Sequence, residues 1–293
     1  MEGSLQDLYG MLEQLEYVNH LGERLRFGRD GLYVNENDLR DFSWNVLSTN
    51  DQISGFSRGV QKKTIPVRVA CVDQTDGVIK KNRLFEIPEK DVLSAQRGKL
   101  WINGYYCECF ITSSKKTRYS VEDRFLACNI EITTDRPVWV KETKLSYGVV
   151  ENYDTQPSEY LDTPFDAPFG LKRYIDRIVP LVVDGVFSSN FRLDIHGEAI
   201  NPTVYINERM YQVNTTVPEG STLTVDLLSK SIYLTYQDGT AENRFDARNR
   251  ENYIFEPVAV GEVDVRWDNF FAFDLTLYDE RSEPKWEVTE EIK

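Results

Sequence analysis

Two histidines, four cysteines and 48 carboxylates are the side chains of this 293-residue chain with chemistry to offer. A zinc site needs four ligands, and a nucleophile needs a base beside it. His20 falls in an expected turn and His196 points outward from an alternating strand. Neither has a partner at helical spacing for a metal. Cys107 and Cys109 are two apart and share one face of a strand; with Cys71 and Cys128 they read as reduced core cysteines, too few for a disulfide scaffold. No phosphate cradle, dinucleotide fingerprint or nucleophile elbow is expected. A glycosidase needs two carboxyls about 5–10 Å apart across a cleft. Asp264, Asp268, Asp274, Asp279, Glu280 and Glu283 instead read as the wet face and turns of the last strands. No catalytic residue, metal or cofactor is therefore assigned.

The elements that would position any site are mostly strands. Residues 1–145 hold 21 basic and 21 acidic side chains, whereas residues 146–293 hold 13 and 27, so the whole net charge of −14 lies in the second half. This balance argues against gripping nucleic acid through phosphates, and no apolar run is long enough to span a membrane. The first ten residues, with Glu2 and Asp7, do not read as a secretory leader. A neutral module can pack against its own copies, whereas an acidic one suits a periphery. We expect an amino-terminal domain at 1–145, a Pro/Gly-punctuated linker at 146–170, and a second domain at 171–293.

Leu5, Leu8, Leu12 and Leu15 predict a short amphipathic helix over 4–15. Short strands follow, among them Phe42–Leu47 and Thr64–Val72, the latter limited by Pro66. A helix is expected over 80–97, ending at Gly98. Asn103-Gly104 predicts a tight hairpin. Phe110–Thr112 and Phe125–Ile132 form a second strand pair, and the polar stretch Ser113–Arg118 between them, with Lys115, Lys116 and Arg118, reads as a solvated loop or a contact arm.

The second domain alternates apolar and polar residues at 191–196, 223–227, 263–267 and 271–277, with turns at Asn207, Gly220 and Asp238-Gly239. The class is mainly β, an antiparallel sandwich of jelly-roll or lectin-like type. Tyr205, Tyr211, Tyr233 and Tyr236 read as core residues with a wet tip or as platforms for sugar rings. His196, Asn207 and Arg209 are the polar candidates for a sugar cleft, the alternative function being a module that recognises host cell-wall glycans.

Three stretches together resemble the distal tail protein (Dit) family of long-tailed, siphovirus-type bacteriophages. They are Leu84–Ile87 through Gly98–Tyr106, Thr134–Trp139, and Phe191–Gly197 with Asn201-Pro202 and the ending Phe271–Leu277. The resemblance implies an amino-terminal split β-barrel with one helix and a protruding hairpin, followed by a galectin-like sandwich. It further implies a non-enzymatic virion protein of the tail tip, assembled in the bacterial cytoplasm. Six copies would form a ring between the tail tube and the tail-tip hub, with the sandwich as a platform for receptor-binding components. In that frame Trp44, Phe56 and Trp139 are read as barrel core, with ring contact as the alternative.

Overall fold

The structure, a computed structural model, describes residues 15–28, 31–34, 36–118, 125–149 and 177–286. The helix expected over 4–15 lies outside them except for Leu15, as does most of the expected linker. The described residues divide into two compact units, one drawn from residues 1–141 and 280–293 and the other from 142–279.

The first unit contains β1 (Leu15–Val18), β2 (Arg24–Phe27), β3 (Leu32–Val34), β4 (Asn45–Thr49), β5 (Gln52–Ser57), β6 (Gln61–Ala70), helix α1 (Gln74–Ser94), β7 (Gly98–Ile102), β8 (Tyr105–Arg118), β9 (Phe125–Thr134) and the start of β10 (Trp139–Tyr147). All pairings are antiparallel, in the order β3-β6-β9-β8-β7-β1-β2. Strand β8 is the pivot: Tyr105–Cys109 pair with β7, and Phe110 onward pairs with β9. Its inward residues, with Tyr17, Leu100, Ile65, Ile130 and the helix residues Leu84 and Ile87, form one core. Asn103 and Gly104 take φ of +48° and +77°, the two positive angles of the expected tight turn. Pro66 does not limit its strand as expected: β6 pairs with β9 along its whole length, Pro66 opposite Asn129, and pairs with β3 on its other side at Val67–Val69.

Two expectations are corrected here. Helix α1 begins at Gln74, capped by Asp73, whose side chain accepts from the Asp76 N–H at 2.8 Å, and it ends at Ser94. Ala95, at φ +53°, is its left-handed cap, and Pro88 sits inside it. Gly98 opens β7 instead of closing the helix. Its missing Cβ matters because the Asp91 carboxylate and the Tyr17 hydroxyl occupy that space. The stretch Ser113–Arg118 is not a loop; it continues β8, in register with Glu131 through Ala127 of β9 across two bulges. Its residues lie beyond the core and bury no face, so the alternation that marks a strand is lost.

The second unit contains β11 (Arg177–Val183), β12 (Asn190–His196), β13 (Ala199–Ile200), β14 (Thr203–Ile206), β15 (Arg209–Gln212), β16 (Thr216–Val217), β17 (Thr222–Asp226), β18 (Ser231–Thr235), β19 (Ala241–Asn243), β20 (Gly261–Trp267) and most of β21 (Ala272–Arg281). One antiparallel sheet runs β19-β18-β17-β12-β21 and a second runs β11-β20-β14-β15. Their inward residues share a core around Trp267, Phe191, Phe273 and Leu193. The rings of Trp267 and Phe273 meet edge to face at 5.2 Å, and Tyr147 stacks on Phe273 at 4.7 Å.

Candidate functional site

The feature of the first unit that its own core does not explain is the hairpin β4–β5. The two-residue turn Asn50-Asp51, with φ of +53° and +59°, closes it, and it joins no other sheet. Val46 pairs with Phe56 and, past a bulge, Ser48 pairs with Ile53. The Trp44 ring meets Phe56 edge-on at 6.4 Å. Trp44, Val46, Ile53 and Phe56 are 44%, 56%, 66% and 60% exposed. The reading of Trp44 and Phe56 as core is thus overturned, whereas Trp139 is buried. A two-stranded hairpin alone is marginally stable in water, and each of these side chains would gain about 1.5–3 kcal/mol on full burial. The base is anchored by Arg58, which donates to the Pro137 carbonyl at 3.0 Å and the Ser282 hydroxyl at 2.6 Å and lies 3.9 Å over the Trp44 ring. Burial holds that guanidinium below its usual pKa. The arrangement is a firmly rooted arm with a wet apolar face, which is the form of a protein-docking element. The signal was present in the sequence as Asn50-Asp51 between Val46-Leu47 and Ile53.

A second cluster, missed in the sequence, joins residues 74 positions apart. Asp91, fully buried on α1, accepts from the Tyr17 hydroxyl, from His20 Nδ1, and from the His20 backbone N–H at 2.9 Å. Burial, and then the bond to Asp91, push the Tyr17 hydroxyl well above its ordinary pKa. Ser94 Oγ stands 3.4 Å from His20 Nε2, so Ser94, His20 and Asp91 form a line like a hydrolase triad. The chemistry fails on polarity. Ser94 Oγ donates to the Lys90 carbonyl at 2.6 Å, and the last turn of a helix presents carbonyls, the wrong sign for an oxyanion. The cluster clamps the β1–β2 turn to the helix.

The sequence also contains Gly55-Phe56-Ser57-Arg58-Gly59, which spells G-x-S-x-G although no elbow was expected. It runs along β5 and its exit, not through a strand-to-helix turn, so it is no nucleophile elbow. Cys107 and Cys109 are buried, and burial raises the Cys107 thiol to about 11 and the Cys109 thiol well above its ordinary value, so neither is a ready thiolate. Among the described residues no cluster is arranged to hold a metal ion, and no helix is long and apolar enough to cross a membrane.

The remaining candidates do not converge. Lys115, Lys116 and Arg118 lie on the outer half of β8. His196 is on β12, where its Nε2 meets Asp274 at 2.9 Å; Ser146 at 2.5 Å and Lys144 at 2.9 Å also hold that carboxylate. Burial alone would raise Asp274, but these bonds bring it to about 2. Asn207 lies in the β14–β15 turn of the other sheet, where its Oδ1 accepts from the Asp264 N–H at 2.9 Å, and Arg209 opens β15 opposite Ile206. The polar groups of His196 and Asn207 are thus engaged internally, in different sheets. Tyr211 is core, with its hydroxyl on the Glu256 carbonyl at 3.0 Å, and Tyr233 is exposed.

No family model matches this sequence, and no curated protein matches it. Solved structures do. The Dit protein of phage SPP1, described as a paradigm of the hub adsorption apparatus in phages infecting Gram-positive bacteria, superposes with a TM-score of 0.56 at 8% identity, over 92% of this chain and 99% of that one. Chains from the phage P2 baseplate in its activated conformation align at a TM-score of 0.57. The calcium form has 11% identity over 94% of this chain and the strontium form 10% over 93%, with 100% of the baseplate chain covered in each. The fold is similar to that of the SPP1 Dit protein. The likeness lies in the fold and not in the sequence, since identity is 8–11% over 92–94% of this chain. Retention of pattern over identity is expected of cores that need apolar residues of suitable size at alternating positions.

Proposed function

We propose that this chain is a structural component of a bacteriophage tail tip. Its amino-terminal domain, residues 1–145, forms a homohexameric ring joining the tail tube to the tail-tip hub. Residues 146–170 link it to the carboxy-terminal sandwich, residues 171–293, which anchors peripheral receptor-binding components. The protein is not an enzyme and takes no cofactor; it is assembled in the host cytoplasm and resides in the virion. The observation that carries this reading is the likeness to tail-tip proteins over at least 92% of this chain and 99% of theirs. The rooted hairpin with its wet apolar face supports it, because a closed ring needs surfaces that one copy leaves uncovered. So does the balance of charge in residues 1–145, which lets copies approach without long-range repulsion.

Sedimentation velocity and negative-stain electron microscopy test the reading. The expected particle has about six times the 34.0 kDa chain mass and a central hole. A chain that stays monomeric at tens of micromolar, and that neither tail tube nor hub protein recruits, would refute it.

A further inference from the structure

Helix α1 carries a second uncovered apolar surface. Leu84, Ile87, Pro88 and Asp91 face the core, but Val78, Phe85 and Val92, at 51%, 45% and 46% exposure, recur every seven residues along its flank. Fourteen residues at 1.5 Å each make this a stripe of roughly 21 Å. The apolar side of β4–β5 is of matching character: Trp44, Val46, Ile53 and Phe56. Resting on the ring reading above, we propose that the apolar face of this hairpin seats on the α1 flank of the next copy of the chain.

Three arguments select a second copy as the occupant. The hairpin face and the helix stripe belong to the same unit, and both stay exposed in a single chain, so neither covers the other within it. Two different patches that fit each other across copies make a head-to-tail contact, the kind that closes into a ring. Hairpin against hairpin would instead close a dimer and leave every helix stripe wet. Charge agrees as well: between residues 45 and 57 the only ionisable side chain is Asp51, at the tip, whereas residues 74–85 of α1 carry Lys80, Lys81 and Arg83 against Asp76, a net of +2, with Lys80 paired to Asp76 at 2.6 Å and Lys81 and Arg83 in excess. A seated tip brings its carboxylate toward that basic half.

The test uses the full chain and two charge substitutions on exposed residues, F56E on the hairpin and F85R on the helix, each checked for a wild-type melting profile. Each variant alone is expected to lose the six-copy particle and sediment as a monomer. Mixed in equal amounts they are expected to recover the ring at least in part, because their junctions alternate between an unsubstituted hairpin on an unsubstituted stripe and two substituted faces of opposite charge. The double variant, with opposite charges facing at every junction, is expected to recover the ring in part. If F85R stays hexameric while F56E does not, the stripe is not the seat, the proposal falls and the ring reading stands. If both stay hexameric, the hairpin is not the ring contact either. A wild-type chain that is monomeric alone and captures tail tube protein through Phe56 would assign the arm to the tube and overturn the proposal. A wild-type chain that assembles in no setting removes the ring reading itself.

Discussion

The hairpins β4–β5 and β17–β18 are built from similar pairs and meet opposite fates. In the second unit Leu223 pairs with Leu234 and Val225 with Ile232, and all four are fully buried. In the first, Val46 pairs with Phe56 and their faces are open to water. Cross-strand apolar pairs set register and direction in both cases. Alternation therefore reports that a face demands cover; it does not report whether the cover is another sheet of the same chain or another molecule. The β17–β18 pair is part of a closed core, and β4–β5 leaves its apolar face uncovered in the single chain, as half of the contact proposed above would.

The sharpest test of that contrast is to remove bulk from the closed core. Trp267 is buried against Phe273 and Tyr147, so Trp267→Ala is expected to cost about 3–5 kcal/mol, seen as a lower urea midpoint with assembly otherwise unaffected in the folded fraction. Next in size is the polar anchor of the first unit. Asp91→Ala leaves the buried Tyr17 hydroxyl and the His20 ring without their acceptor, and a loss of about 3 kcal/mol is expected by chemical denaturation. A change below about 1 kcal/mol would show that water replaces the carboxylate, and that the clamp on the β1–β2 turn is weaker than its geometry.

These residues also mark where the sequence was legible. The strands of the second unit could be read from alternation at 191–196 and 263–267 because one face of each is buried by the same chain. The Asn103-Gly104 turn was legible because its two positive φ angles leave few residue choices. Ser113–Arg118 was not, since a strand running past the core has no buried face to impose a period. The helix start was obscured by Gly77 in its first turn, although Asp73 and Asp76 supply the cap. The Tyr17–Asp91–His20 cluster joins residues far apart in sequence, and no local spacing encodes it. Trp44 and Phe56 were assigned to the core because large aromatics usually belong there; local pattern carries no information about a neighbouring molecule.

The acid limb separates the two regions in another way. Asp274, held at about 2 against an ordinary 3.8, stabilises the second unit when ionised. Its contribution is complete above about pH 4 and is lost as pH falls from about 4 to 2, because the unfolded chain then binds the proton more readily than the folded one. The shift corresponds to about 2 kcal/mol. Urea midpoints taken across that window are expected to fall more steeply for the wild type than for Asp274→Asn. Equal slopes would mean that Ser146, Lys144 and His196 do not favour the charged form in solution.

The smallest expected effect is the one that decides the comparison. Val46→Thr and Phe56→Ser alter side chains that already face water in the single chain, so each is expected to change the unfolding free energy of the dissociated protomer by no more than about 0.5 kcal/mol. The same substitutions made at Val225 or Leu234 would open the core of the second unit and cost several times as much. Denaturation at nanomolar chain concentration, where assembly is absent, measures the protomer alone; repeating it at tens of micromolar adds whatever the hairpin contributes between molecules. A Phe56→Ser variant that matches the wild type when dilute and falls behind it when concentrated would place the value of this side chain in the contact. If the two remain equal at both concentrations, the apolar face has no partner in a second copy. A loss already present in the dilute sample would show that the arm folds back onto its own chain in solution, and the contrast between the two hairpins would disappear.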